Sequence, residues 1–203
     1  HRNTRRQRQM CIRDRYQFHW PNRGSYMFRQ NWKYDPSRQD KKSTLENMYE
    51  CLVILQKEVE KGNIRYFGLS NESAWGTANW LKLSEEHKLP RVATIQNEYS
   101  LLCRLYDTDL AELSVNEGVG LMAFSPLAAG LLTGKYLDGN LPENSRKLIN
   151  QDLGGRDNPR SEMAVRSYLK IAKEFGLNPI HLALAWCKTC LLYTSPSPRD
   201  LGK

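Results

Sequence analysis

Asn63-Ile-Arg-Tyr-Phe-Gly-Leu-Ser-Asn-Glu-Ser73 is the stretch on which the fold turns. It opens as a short apolar strand, Ile64 to Leu69, breaks into the polar pair Ser70-Asn71, and then starts a helix. A buried strand that delivers small hydrogen-bonding side chains at its C-terminal end is how α/β proteins build ligand sites. Working outward, three other strands end the same way. Tyr16-Gln-Phe-His-Trp-Pro21 is a strand end carrying His19, and Pro21 stops the ladder. Val92–Ile95 ends in Gln96-Asn97, and Val119–Phe124 ends in Ser125-Pro126.

Helices fall between these strands. Ser43-Thr-Leu-Glu46 has capping-box spacing, and Leu45, Met48, Leu52, Leu55 and Val59 then share one helical face before Gly62. A helix over Ala74–His87 stops ahead of Pro90, and another over Asp109–Asn116 closes at Gly118. Beyond Leu127–Tyr136 a polar loop reaches about Arg160. Helices follow over Ser161–Phe175, capped at Gly176, and from Asn178-Pro179 onward. The segment from Asn22 to Lys42 is a long polar loop, either functional or mobile. Apolar strands alternating with amphipathic helices predict a parallel sheet covered by helices. Polar residues at four successive strand ends favour about half of a (β/α)8 TIM barrel, whose site lies at the C-terminal face. No Gly-x-Gly-x-x-Gly follows a strand, which weakens the dinucleotide-fold alternative.

The composition is that of a globular protein, 40% hydrophobic and 26% charged over 203 residues. No apolar run is long enough for a membrane span and no secretory signal is visible. A net charge of +8 points toward an anionic partner. Residues 1–15, however, carry six Arg against one Asp, and only +2 belongs to residues 16–189. Cys190–Ser195 can be back-translated so that the complementary strand encodes Gln9–Asp14, and Arg5–Arg15 and Cys190–Asp200 resemble translated sequencing adapter. Residues 1–15 and 190–203 are therefore read as adapter-like, non-native ends, and 16–189 as the domain. The rival reading of 1–15 is a basic arm for nucleic acid. The remaining Cys51, Cys103 and Cys187 are widely spaced, which predicts reduced thiols in a cytoplasmic protein.

The strand ends bring His19, Ser70, Asn71, Gln96, Phe124 and Ser125 to one face in a barrel. Each has a plainer alternative. His19 could cap its strand, Ser70-Asn71 could cap the following helix, Gln96-Asn97 could cap a turn, and Phe124 could be core. Gly130-Leu-Leu-Thr-Gly-Lys135 departs from the P-loop spacing. The set holds no tight Cys/His cluster for a metal and no nucleophile elbow for a hydrolase.

Tyr-Gln-Phe-His-Trp-Pro, Gly-Asn-Ile-Arg-Tyr-Phe-Gly-Leu-Ser-Asn-Glu, Ile-Gln-Asn-Glu-Tyr-Ser and Phe-Ser-Pro-Leu-Ala-Ala-Gly-Leu-Leu-Thr-Gly-Lys-Tyr resemble the aldo-keto reductases. The branch is the one holding Tas-like bacterial reductases and potassium-channel β subunits. The resemblance covers about Tyr16–Thr189 and implies strands four to seven of an eight-stranded barrel with NADPH across its mouth. It implies that His19 polarises a substrate carbonyl and that Ser70, Asn71 and Gln96 grip the nicotinamide carboxamide. Phe124 matches the aromatic stacked on the nicotinamide. Ser125, Leu127 and Lys135 match the loop along the pyrophosphate and ribose, and Arg146 matches a basic residue of the cofactor-covering loop. The implied partner is a small aldehyde or ketone, with no nucleic acid and no membrane; oligomeric state is not read from the sequence. The Tyr, Lys and Asp of the family's site are expected upstream of Tyr16, and the 2′-phosphate-binding segment downstream. A nucleotide-sensing β-type subunit on the same fold is the alternative function.

Overall fold

The computed structural model describes residues 14–30 and 32–189. The end segments, the basic arm and Cys190 lie outside the described residues, except Asp14 and Arg15. Among the described residues there are four strands: β1 (Arg15–Gln17), β2 (Tyr66–Ser70), β3 (Val92–Glu98) and β4 (Gly120–Phe124). The helices are α1 (Lys41–Glu60), α2 (Ala74–His87), α3 (Leu110–Glu117), α4 (Arg146–Ile149), α5 (Pro159–Glu174) and α6 (Pro179–Thr189). The sheet order is β1-β2-β3-β4, and the β1–β2 and β2–β3 pairs are parallel. Strands in sequence order with a helix between each pair form the parallel arrangement of a partial (β/α)8 barrel. Arg15, the last residue of the segment read as non-native, opens β1 opposite Tyr66.

The chain divides into two compact units. The first runs to Gln96 and includes Leu113–Gly120; the second comprises Asn97–Glu112 and the chain from Leu121 onward. In the first unit, successive side chains of β2 leave opposite faces of the sheet. Phe67 and Leu69 are buried, and Phe67 packs on Phe18 and on Trp80 of α2. Gly68 points the other way, between Gln17 and Thr94. A Cβ on Gly68 would lie 2.5 Å from Thr94 Oγ1 and 2.6 Å from Gln17 Oε1. The β2–β3 register steps at this point: Phe67 faces Val92 but Gly68 faces Thr94, so that Ser70 comes opposite Gln96.

The apolar stripe expected on α1 is buried through Met48, Leu52 and Leu55. Its start differs from the capping box expected at Ser43–Glu46. Asp40 is the N-cap, and its carboxylate accepts from the Ser43 amide at 3.1 Å. In the second unit, Ala128, Leu131, Leu132, Tyr136, Leu153, Val165 and Ala183 form a core. Beside it Tyr99 stacks on Trp186 with ring centroids 4.9 Å apart. Helix α5 begins two residues before the expected Ser161, because Asn158 and Ser161 exchange a reciprocal cap ahead of Pro159. Among the described residues Cys51, Cys103 and Cys187 form no disulfide, and no helix is long and apolar enough to cross a membrane.

Candidate functional site

In the first unit the ends of β1, β2 and β3 converge through backbone and side chain together. Ser70 closes β2, and Asn71 follows with φ 54. Asn is one of the few residues that adopts this left-handed conformation at low cost. Both are 6% exposed. The Ser70 hydroxyl donates to the Gln96 carbonyl at 2.6 Å, and the Asn71 amide donates to the same oxygen at 3.0 Å. The Asn71 side-chain NH2 donates to the His19 carbonyl at 2.8 Å and to Ser70 Oγ at 3.1 Å. Four of the sequence-derived residues, His19, Ser70, Asn71 and Gln96, thus form one wall.

The plainer reading of Ser70-Asn71 as a helix cap does not hold. Helix α2 is capped by Ser73, whose hydroxyl accepts from the Gly76 amide at 3.1 Å. Gln96-Asn97 likewise sits inside β3. With the Asn71 NH2 committed, its Oδ1 and the half-buried Gln96 carboxamide have no hydrogen-bond partner among the described residues. The wall therefore presents unused amide donors and acceptors, the complement of a planar carboxamide on a ligand. The exposed His19 ring lies against Trp20, centroids 4.1 Å apart.

The second unit holds the remaining sequence-derived residues. Phe124 ends β4 and is 39% exposed, so it is a surface plate and not core. Its carbonyl accepts from the Tyr99 amide at 3.1 Å. Ser125 takes φ 55, and its carbonyl accepts from the Ala128 amide at 2.8 Å. Leu127 is half-buried and opens a 3-10 segment over Ala128–Thr133. Lys135 is exposed, with Nζ 4.9 Å from the Tyr136 ring centroid. Gly130, at φ +97, leaves room for it: a Cβ there would lie 3.0 Å from Lys135 Cε. Arg146 is exposed at the start of α4. A cavity of about 290 Å³ in this unit is lined by Tyr136, Lys147, Asp157 and neighbours, but by none of these five residues.

Two residues that the sequence reading passed over also matter. Arg23 and Glu72 form an ion pair whose side chains are 7% and 3% exposed. Among the described residues no group of three or more His, Cys, Asp or Glu could hold a metal ion.

The model of the aldo/keto reductase family matches residues 4–195. The chain belongs to the aldo/keto reductase family. This aldo/keto reductase chain is 40% identical over 175 residues to the protein tas of Escherichia coli (strain K12), covering 86% of itself and 49% of that protein. It is 36% identical over 148 residues to a probable voltage-gated potassium channel subunit beta of Arabidopsis thaliana, covering 68% of itself and 43% of that protein. Its likeness to an L-glyceraldehyde 3-phosphate reductase of Escherichia coli O157:H7 is 36% over 145 residues, 68% of this chain and 41% of the relative. The chain thus spans about half the length of these curated relatives. The Tas and channel-subunit relatives belong to the branch that the strand-end motifs resemble.

Proposed function

We propose that this chain supplies the nicotinamide-holding part of an NADPH-dependent reductase of small aldehydes and ketones. The observation that carries the reading is the wall of His19, Ser70, Asn71 and Gln96, with its unused amide groups beside an exposed imidazole. Asn71 Oδ1 and the Gln96 carboxamide pair with the cofactor's carboxamide, and Ser70 holds the strand ends that aim them. Fixing the amide fixes which ring face is presented, a gain in positioning. Phe124 is the aromatic plate, and Ser125, Leu127, Lys135 and Arg146 serve the ribose and phosphates. Lys135 brings a compact charge suited to a phosphate. NADPH, when bound, supplies the hydride. His19 orients the substrate carbonyl.

The test is NADPH titration of the 203-residue chain, followed by nicotinamide fluorescence. Gln96→Leu keeps the volume and removes the carboxamide, and should weaken binding about tenfold, the worth of roughly one hydrogen bond. Equal affinity in the variant overturns the reading. We further propose that the chain alone does not turn over substrate, because the resemblance assigns the proton-donating Tyr to another part of the family's barrel. An NADPH-dependent rate on a broad aldehyde panel would refute this. A nucleotide-sensing subunit is the second reading, favoured by the likeness to the Arabidopsis channel subunit. It predicts binding without turnover even in the full-length parent protein.

A further inference from the structure

We infer that Arg23 and Glu72 are a positioning pair that locks the loop after β1 onto the Ser70-Asn71 wall. The loop that the sequence left as functional or mobile is tied down at consecutive points. Arg23 Nη1 donates to Glu72 Oε2 at 3.0 Å and Nη2 donates to Glu72 Oε1, a two-pronged contact. Nη2 also reaches Ser73 Oγ at 3.3 Å. Ser25 Oγ donates to the Asn71 carbonyl at 3.0 Å. With the Asn71 side chain on the His19 carbonyl, Asn71 is held by its side chain and its backbone from one segment, residues 19–25.

The pair has a built seat. A Cβ on Gly76 would collide with Arg23 Nη2 and Glu72 Oε1, so this glycine opens the space they fill. The Arg23 guanidinium also lies 5.2 Å from the Trp75 ring centroid. The same Glu72 accepts from the Ser73 amide at 2.8 Å, at the N-terminus of α2. A rigid fork fits this job: a bidentate Arg–carboxylate pair fixes orientation as well as distance. Release of the loop therefore removes the Ser25 tie from the Asn71 carbonyl and lets the Asn71 carboxamide turn off the wall. The consequence for cofactor rests on the nicotinamide reading above; the locking of Asn71 does not.

The experiment uses the 203-residue chain and the variant Arg23→Met/Glu72→Leu. Removing Arg23 alone leaves a buried charge without its partner, whereas replacing both groups with apolar ones is commonly tolerated. Arg23→Lys is a second variant that keeps the charge but loses the fork. Amide hydrogen exchange reads Asn71, limited proteolysis reads residues 22–40, and urea unfolding reads global stability. In the double variant the Asn71 amide should exchange about tenfold faster, with earlier cleavage in the loop, at an unchanged urea midpoint. Arg23→Lys should show a smaller change in the same direction. A merely structural role would move exchange only in step with the urea midpoint. Unchanged Asn71 exchange, or exchange that only tracks global stability, overturns the inference whether or not NADPH binds. If the parent chain fails to bind NADPH, the functional reading falls and the exchange data still decide. If it binds, the double variant should bind about tenfold more weakly, and equal affinity counts against the pair.

Discussion

Gly76 is the third residue of α2, a position where most side chains would improve the helix. It stays glycine because the Arg23 guanidinium and the Glu72 carboxylate occupy the place of its Cβ. Gly76→Ala should therefore lower stability by about 1–3 kcal/mol, the usual cost of overpacking, although alanine is the better helix former. Urea unfolding measures it, and a neutral or stabilising effect would contradict the packing argument. Ser70, Asn71 and Gln96 were legible in the sequence because each interrupts an apolar strand. Arg23 and Glu72 were not, since they lie 49 positions apart and neither sits in a periodic pattern. One signal was available: Glu72 follows Ser70-Asn71 as Glu98 follows Gln96-Asn97. Glu98 pairs with Arg156 at 2.7 Å in the second unit, both side chains again mostly buried.

At the level of elements, the turn from α1 into β2 depends on Glu58. Its carboxylate accepts from Lys61 Nζ at 2.8 Å and from Asn63 Nδ2 at 2.6 Å. These contacts, Lys61 first and Asn63 next, hold its pKa below the ordinary glutamate value. A depressed folded-state pKa contributes stability that is present above the unfolded value and lost as pH falls through the folded one. Glu58→Gln should therefore lower stability at neutral pH and leave it nearly unchanged below about pH 4, where the carboxylate is protonated, so that part of the acid-side loss flattens. Urea midpoints from pH 3 to 6 check it; identical pH profiles for parent and variant would rule it out. The helices were the most legible elements, because one face repeats over several turns. Their starts were less so. The α1 cap is Asp40, followed by Lys41 and Lys42, cations that the positive end of a helix dipole disfavours. Strand ends shifted as well: β3 runs on to Glu98, past the apolar Val92–Ile95 core of the sequence reading. Ladder hydrogen bonds continue through Gln96 whatever the polarity of the side chain.

At the scale of the whole molecule, the described sheet has β1 and β4 as its outer strands. Unpaired strand edges present rows of amides and carbonyls that template further pairing. The 203-residue chain should therefore self-associate as its concentration rises through the micromolar range, as read by sedimentation velocity. A single monomeric species across that range would count against edge pairing. The sequence by itself determined the alternation of strand and helix, the polar residues that end each strand, and through them the family. These are local properties, written in the spacing of apolar residues along a few turns or a few strand positions. Tertiary structure alone decided the register step at Gly68 that sets Ser70 opposite Gln96. It also decided the turning of the Asn71 carboxamide onto the His19 carbonyl and the seating of Arg23 and Glu72 over Gly76. Each of those joins residues distant in sequence, and only the packing of elements against one another brings such groups within hydrogen-bond reach.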